Sequence, residues 1–240
     1  MIKVASLCKT FGDVRAVKDI SFTADNNLVT GLLGPNGAGK STTLRILYGL
    51  LKQDSGEAFV DEFNLRTDRV AAQKKIGVLP DSHGLYTRLT AREHIHYFGR
   101  LHGVNENELE NKAAELIGLL DMNPIADRRV EGFSQGERMK VCLSRSLIHS
   151  PSNVILDEPT NGLDVMTTRT VREIITELKR QGVAVLFSSH LMHEVSRLCD
   201  KIIIVSQGTV VATGTTDEIR ESAGEDNLED AFVKLAEKDI

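Results

Sequence analysis

Short apolar runs and helical stripes alternate along this chain, and the alternation predicts its architecture. Residues 2–7 and 18–24 read as strands on either side of a turn at Phe11-Gly12-Asp13, and Gly56 to Val60 reads as a third. Together they predict a small antiparallel sheet. Leu28-Val29-Thr30-Gly31-Leu32-Leu33 reads as a buried strand, after which Leu44, Leu47 and Leu51 recur at helical spacing. Ile76 to Leu79 is a further strand. From about Leu85 to His149 the pattern turns helical, with capping-box spacing at Thr90/Glu93 and at Ser134/Glu137. Leu109, Ala113, Leu116, Ile117 and Leu120 form an apolar stripe there. Three strand-like runs follow, Val154 to Leu156, Val183 to Phe187 and Ile202 to Val205, separated by helical segments at about 166–180 and 191–199. Continuously apolar strands alternating with helices imply a parallel sheet covered on both faces, hence an α/β fold. Glu225 to Leu235 reads as a short acidic helix that docks through Leu228, Phe232 and Leu235.

Composition narrows the class without naming it. The 240 residues are 41% hydrophobic and 26% charged, ordinary for a soluble globular protein. A formal net charge of −5 argues against a dedicated nucleic-acid surface. Cys8, Cys142 and Cys199 match no metal spacing and read as reduced thiols of a cytosolic protein. Met1-Ile2-Lys3-Val4 runs straight into strand-like sequence, so no signal peptide is expected. The longest apolar runs, such as Ile202 to Val205, are far too short to span a bilayer. The chain has neither an internal repeat nor a low-complexity linker.

Between the Leu28–Leu33 run and the following helix lies Gly34-Pro35-Asn36-Gly37-Ala38-Gly39-Lys40-Ser41, then Thr42, a full match to the phosphate-loop pattern GxxxxGK[ST]. A strand that turns through glycines into a helix aims successive N–H groups and the positive end of the helix dipole at one point. Lys40 is expected to reach the β/γ-phosphates and Ser41 to take Mg²⁺. Val154 to Leu156 ends in Asp157-Glu158. Asp157, at the carboxyl end of a buried strand, is expected to hold the same Mg²⁺. Glu158, one residue on, is placed to take a proton from an attacking water.

Further segments carry a family resemblance. Phe133-Ser134-Gln135-Gly136-Glu137 resembles the signature motif of ATP-binding cassette (ABC) ATPases, Asn161-Gly162-Leu163-Asp164 their D-loop, and Ser188-Ser189-His190 their switch histidine. The match runs in order over roughly residues 2–220. It implies a cassette in one domain over 1–240: a nucleotide-binding core (1–84 and 150–220) with an antiparallel β-subdomain, a helical subdomain (85–149) and a C-terminal helix (221–240). It implies two cassettes closing head to tail on two ATP molecules, each ATP between one copy's phosphate loop and the other's Ser134, Gln135 and Gly136. Asp164 joins that interface, His190 contacts the γ-phosphate, and Phe11 lies against adenine.

The chain departs from the family where a metal-touching glutamine is usual and Asp81 stands instead. Asp81 is expected to keep that role, reaching less far. Gln135 replaces the first signature glycine and is tolerable if its side chain points away from the phosphate; Glu137 replaces a glutamine and is expected to close the capping box on Ser134. His83, His94, His96, His102, His149 and His193 are read as ordinary structural histidines, so no metal beyond nucleotide-bound Mg²⁺ is expected. Pro80 to Glu93 and Asn227 to Phe232 are similar to the NatA group of sodium-export ATPases, within the bacterial type-2 ABC exporters. That resemblance implies a separate membrane permease with several transmembrane helices, a second cassette (a homodimer first of all), no nucleic acid, and a place on the cytoplasmic face of the membrane. A soluble ABC ATPase acting on ribosomes or DNA is the alternative, disfavoured by the single cassette and the lack of a basic tract. A P-loop kinase or GTPase leaves residues 133–137 unexplained.

Overall fold

A computed structural model describes residues 1–81 and 84–237, and in it the apolar runs become the middle of one sheet. The chain forms β1 (Ile2–Phe11), β2 (Val14–Ala24), β3 (Val29–Leu33), α1 (Lys40–Leu47), β4 (Ser55–Val60), β5 (Phe63–Asn64), α2 (Arg69–Gln73) and β6 (Ile76–Leu79). Helices α3 (Ala91–Leu101), α4 (Glu106–Leu119) and α5 (Gln135–Leu147) come next. The chain then passes through β7 (Asn153–Asp157), α6 (Val165–Arg180), β8 (Ala184–Ser188), α7 (Met192–Leu198) and β9 (Lys201–Ser206). It closes with β10 (Thr209–Gly214), α8 (Thr216–Ala223) and α9 (Leu228–Glu237).

The strand order is β5-β4-β1-β2-β10-β9-β3-β8-β7-β6. β9, β3, β8, β7 and β6 run parallel. β2, β1, β4 and β5 pair antiparallel. β10 joins the two parts: it is antiparallel to β9 and meets β2 through one parallel pair, Thr209 with Asp19. Burial explains why the central strands read as unbroken apolar runs. Val154, Leu156, Val185, Phe187, Ile202 and Ile204 face the helical side of the sheet, and Ile155, Leu186, Ile203 and Val205 face the α1 side. Every side chain alternates between two dry layers, so no polar phase survives in the sequence.

Helix α4 carries the predicted stripe, with Leu109, Ala113, Leu116, Ile117 and the C-cap Leu120 all buried. Both capping boxes close. Glu93 N–H donates to Thr90 Oγ at 3.1 Å and Thr90 N–H to Glu93 Oε2 at 2.7 Å. Glu137 N–H donates to Ser134 Oγ at 3.2 Å and Ser134 N–H to Glu137 Oε2 at 2.7 Å.

Four expectations are corrected. α1 stops at Leu47, because the chain turns through Gly49 at φ 75°; Leu51 lies beyond the helix, although its spacing continues the stripe. β1 and β2 extend to Phe11 and Val14, so Phe11 ends a strand and only Gly12-Asp13 turn. Ser6 at φ 47° and register shifts along β1 break the alternation that would have marked the full strand. β10 and α8 fill a stretch in which neither was expected, and α9 begins at Leu228. His83 lies outside the described residues. Among the described residues, no helix is long and apolar enough to cross a membrane.

Candidate active site

The parallel strands end together, and their carboxyl ends hold the site. Register pairs Asp157 with Ser188 and Leu32 with Ser188, which puts the ends of β7, β8 and β3 side by side. The phosphate loop leaves β3 and is pressed against its neighbours: a Cβ on Gly34 would lie 2.3 Å from the Val205 carbonyl oxygen. Gly39 holds φ 101° and passes so close to β2 that a Cβ would meet Ala16 O at 2.5 Å, so only glycine fits there. Gly39 is also the N-cap of α1 and supplies no side chain to cap it, unlike the N-caps of α3, α4, α5, α6 and α8. No side-chain acceptor at the cap therefore competes with an anion for the first-turn N–H groups. Lys40 folds back over the loop, donating to Gly34 O at 2.6 Å and to Pro35 O at 3.1 Å. Burial lowers the Lys40 pKa, while the charges of Glu158 and Asp157 pull it back up.

Two clefts flank the loop. In one, Asn36, Gly37, Ala38, Gly39, Ser41 and Thr42 face Val14, Arg15, Lys18 and Gln207. In the other, a cavity of about 520 Å³, Gly34, Pro35, Lys40 and Ser41 face Asp81, Asp157, Glu158 and His190. The second cleft thus gathers all three predicted catalytic residues and all three predicted metal ligands.

Ser188 organises the carboxylates. Its hydroxyl donates to Asp157 Oδ1 at 2.6 Å, and its Oγ and carbonyl accept from Glu158 N–H at 3.1 and 3.2 Å. These bonds help hold Glu158 at φ 52°, a left-handed conformation. Glu158 Oε2 then meets His190 Nδ1 at 2.8 Å. Asp157 is 7% exposed, and burial raises its pKa; the Ser188 bond lowers it and the charge of Asp81 raises it further. A crowded, hard oxygen set of a hydroxyl and two carboxylates fits Mg²⁺, which prefers one or two carboxylates plus phosphate and water. Among the described residues no cluster of three His, Cys, Asp or Glu forms a metal cage of its own.

The remaining predicted residues line neither cleft. Ser134, exposed, caps α5. Gln135 Nε2 donates to Asn161 O at 2.9 Å, and Gly136 packs on Thr167 of α6. Asp164 caps α6, accepting from Met166 N–H and Thr167 N–H at 2.9 Å each and from Thr167 Oγ at 2.7 Å. These bonds lower the Asp164 pKa. Phe11 is 45% exposed with Lys9 Nζ 5.5 Å from its ring centre, while Val14 and Arg15 line the cleft beside the loop. The other described histidines have structural partners. His94 Nε2 lies 2.9 Å from Tyr86 O and His149 Nε2 3.1 Å from Ile76 O; His102 stacks on His149. His96 lies by Glu110 and His193 by Glu194. Three residues lining that cleft are not read as site residues from sequence: Asn161 of the D-loop-like segment, Met192 of α7 and Phe232 of α9. Asn227 to Phe232 was visible as a motif, but nothing in its apolar spacing separates a cleft wall from a docking residue.

The family model described as "ABC transporter" matches residues 17–161. ABC transporter ATP-binding protein NatA of Bacillus subtilis is 40% identical over 97% of both chains. Linearmycin resistance ATP-binding protein LnrL of the same organism is 35% identical over 95% of this chain and 73% of its own. Among solved structures, one described as the ATP binding subunit of an ABC transporter superposes with a TM-score of 0.92 at 28% identity, covering 99% of this chain and 100% of that one. A dimeric bacterial ABC transporter cassette superposes with a TM-score of 0.81 at 25% identity, covering 90% and 98%. The loop, the Asp157–Glu158 pair and these likenesses agree, and the chain belongs to the ABC transporter family as its ATP-binding, ATP-hydrolysing subunit.

Proposed function

We propose that this chain is the ATPase of a bacterial exporter, closing head to tail with a second cassette on two ATP molecules and driving a separate membrane permease from its cytoplasmic face. The observation that carries the chemistry is the 2.8 Å contact between Glu158 and His190 in the cleft that also holds Lys40 and Ser41. Glu158 takes a proton from the attacking water as the new P–O bond forms and the bond to the β-phosphate oxygen breaks, releasing ADP. His190 orients Glu158 through Nδ1 and presents its other ring nitrogen to the γ-phosphate. Lys40 and the loop N–H groups meet the charge on the β/γ-phosphates. Ser41, Asp157 and Asp81 would hold Mg²⁺, which when bound neutralises phosphate charge.

Ser134 and Gly136 sit at the N-terminus of α5, where the Ser134 oxygen accepts from Glu137 N–H and its O–H, with the N–H groups there, suits donation to a γ-phosphate brought by the second copy. The dimeric structural neighbour supports that arrangement. A role in transport is supported by the likeness to NatA, named as an ABC transporter ATP-binding protein, and outward transport by the likeness to a protein named for linearmycin resistance. Sodium is the first cargo to assay, on the resemblance to the NatA group.

The test is to trap the ATP-bound state with Glu158→Gln and recover the tagged chain from detergent-solubilised membranes of its host. A co-purifying protein with several transmembrane helices is expected, and its deletion should abolish export of the cargo. Ribosomal proteins or nucleic acid with no membrane protein would overturn the exporter reading.

A further inference from the structure

Gln135 occupies the position of a signature glycine, and its side chain has a definite partner. Its Nε2 donates to Asn161 O at 2.9 Å. Beneath it lies Gly162, where a Cβ would meet Gln135 Nε2 at 2.7 Å and Oε1 at 3.0 Å. Gly162 also holds φ 69°, so both the conformation and the space above it select glycine. The next residue of α5, Gly136, packs against Thr167 of α6, its missing Cβ 2.9 Å from Thr167 Oγ. The first turn of α5 thus touches both the turn before α6 and the first turn of α6.

The bonds continue to the catalytic centre. Asn161 N–H donates to Glu158 O at 3.2 Å, and Asn161 lines the same cleft as Glu158 and His190. Glu158 is the residue at φ 52° whose side chain meets His190. A left-handed, non-glycine residue depends on its surroundings to hold its conformation. On the C-terminal side those surroundings are the turn closed by Asn161, and Gln135 fastens that turn from outside.

We propose that Gln135 is a positioning residue that ties the signature turn of each chain to the general base of the same chain. The inference rests on the head-to-tail dimer proposed above. There, the signature turn of one copy closes on the ATP held by the other copy's loop, while its Glu158 serves the ATP on its own loop. Seating ATP on the signature therefore fixes Asn161 and Glu158 for the second site, and the reverse holds by linkage. The two hydrolytic sites are coupled through a side chain that a glycine at this position would not supply.

The test compares wild type, Gln135→Ala and Gln135→Met, the last keeping length and bulk without a donor. Phosphate release is followed against ATP concentration, and amide exchange of residues 158–163 is measured in each chain on the Glu158→Gln background with ATP. Wild type should show a Hill coefficient above 1. Both variants should fall toward 1, lose about five- to tenfold in kcat, within the span of ordinary coupling energies, and exchange faster over 158–163. Their ATP-dependent dimers, read by light scattering on the same background, should persist. Unchanged cooperativity and exchange in Gln135→Ala would overturn the relay while leaving the dimer standing, and so would wild-type behaviour of Gln135→Met. Dimers lost in both variants would make Gln135 an interface contact instead. Glu158→Gln chains that stay monomeric with ATP would overturn the dimer itself, and the relay with it.

Discussion

At the phosphate-loop end, one chain gathers Lys40, Asp157, Glu158 and His190 around a single cleft; at the signature end, Ser134 and Asp164 line neither cleft beside the loop and serve as helix caps. The loop end works against folding. Asp157 is buried and Lys40 half-buried, with their charged forms disfavoured; Glu158 is held in a left-handed conformation, and α1 starts at an uncapped glycine. The signature end works with folding, since Ser134 and Asp164, proposed above to meet a second copy, already satisfy helix termini. Chemistry and stability are therefore separated in space: substitutions at one end should remove turnover without unfolding the chain, and those of the two capping residues at the other should weaken the fold as well as the dimer.

The largest effect expected is at Glu158. Glu158→Gln should lower kcat by about 10²–10⁴ while nucleotide affinity, measured by equilibrium binding, stays within a few-fold of wild type. A melting midpoint unchanged alongside the lost turnover would sharpen the contrast; a large drop in the midpoint would break it, since the loop end would then carry stability. Next come the caps. Ser134→Ala removes the acceptor for Glu137 N–H and should cost about 1 kcal/mol, lowering the midpoint by about 2–4 °C. Asp164→Ala should lower it too, because the carboxylate accepts three bonds in the first turn of α6. Both should also weaken ATP-driven dimerisation. Calorimetry paired with light scattering checks this, and a variant that loses dimers at full stability would assign its residue to the interface alone.

The contrast also explains what was legible from sequence. The phosphate loop was readable because the chemistry demands specific residues at fixed spacing: Gly39 has no room for a Cβ and Lys40 must follow it. Ser134 and Thr90 were readable because a capping box is local, spanning four residues, and closed in the structure as its spacing predicts. What depends on tertiary neighbours was less so. β10 is half-buried at the seam between the two parts of the sheet, so its pattern is neither the unbroken apolar run of β8 nor a clean alternation. α8 does carry a readable box, Thr215 with Glu218, but only two of its residues are buried. Leu51 misled because helical spacing persists past Gly49, where the backbone has already turned. The cleft-facing role of Phe232 and the Gln135–Asn161 bond join residues far apart in sequence, and no periodicity reports such pairs.

The smallest effect distinguishes cost from benefit most directly. Burial raises the Asp157 pKa above that of an unfolded carboxyl, with the charge of Asp81 acting in the same direction. A carboxyl raised on folding favours the folded state while protonated and loses that advantage as pH climbs through its folded pKa. At neutral pH the ionised group is therefore a net burden on the fold. Asp157→Asn keeps the shape and an acceptor for the Ser188 hydroxyl but removes the charge. Its melting midpoint should exceed that of wild type by a degree or two at pH 8, with the gap closing as pH falls toward about 4, the range of an unfolded aspartate. ATP with Mg²⁺ should reverse the order by stabilising wild type more, because only wild type offers the metal this carboxylate. A variant less stable than wild type at pH 8 without nucleotide would show that the loop end also supports the fold, and the separation of the two ends would fail at the residue where it is expected to be clearest.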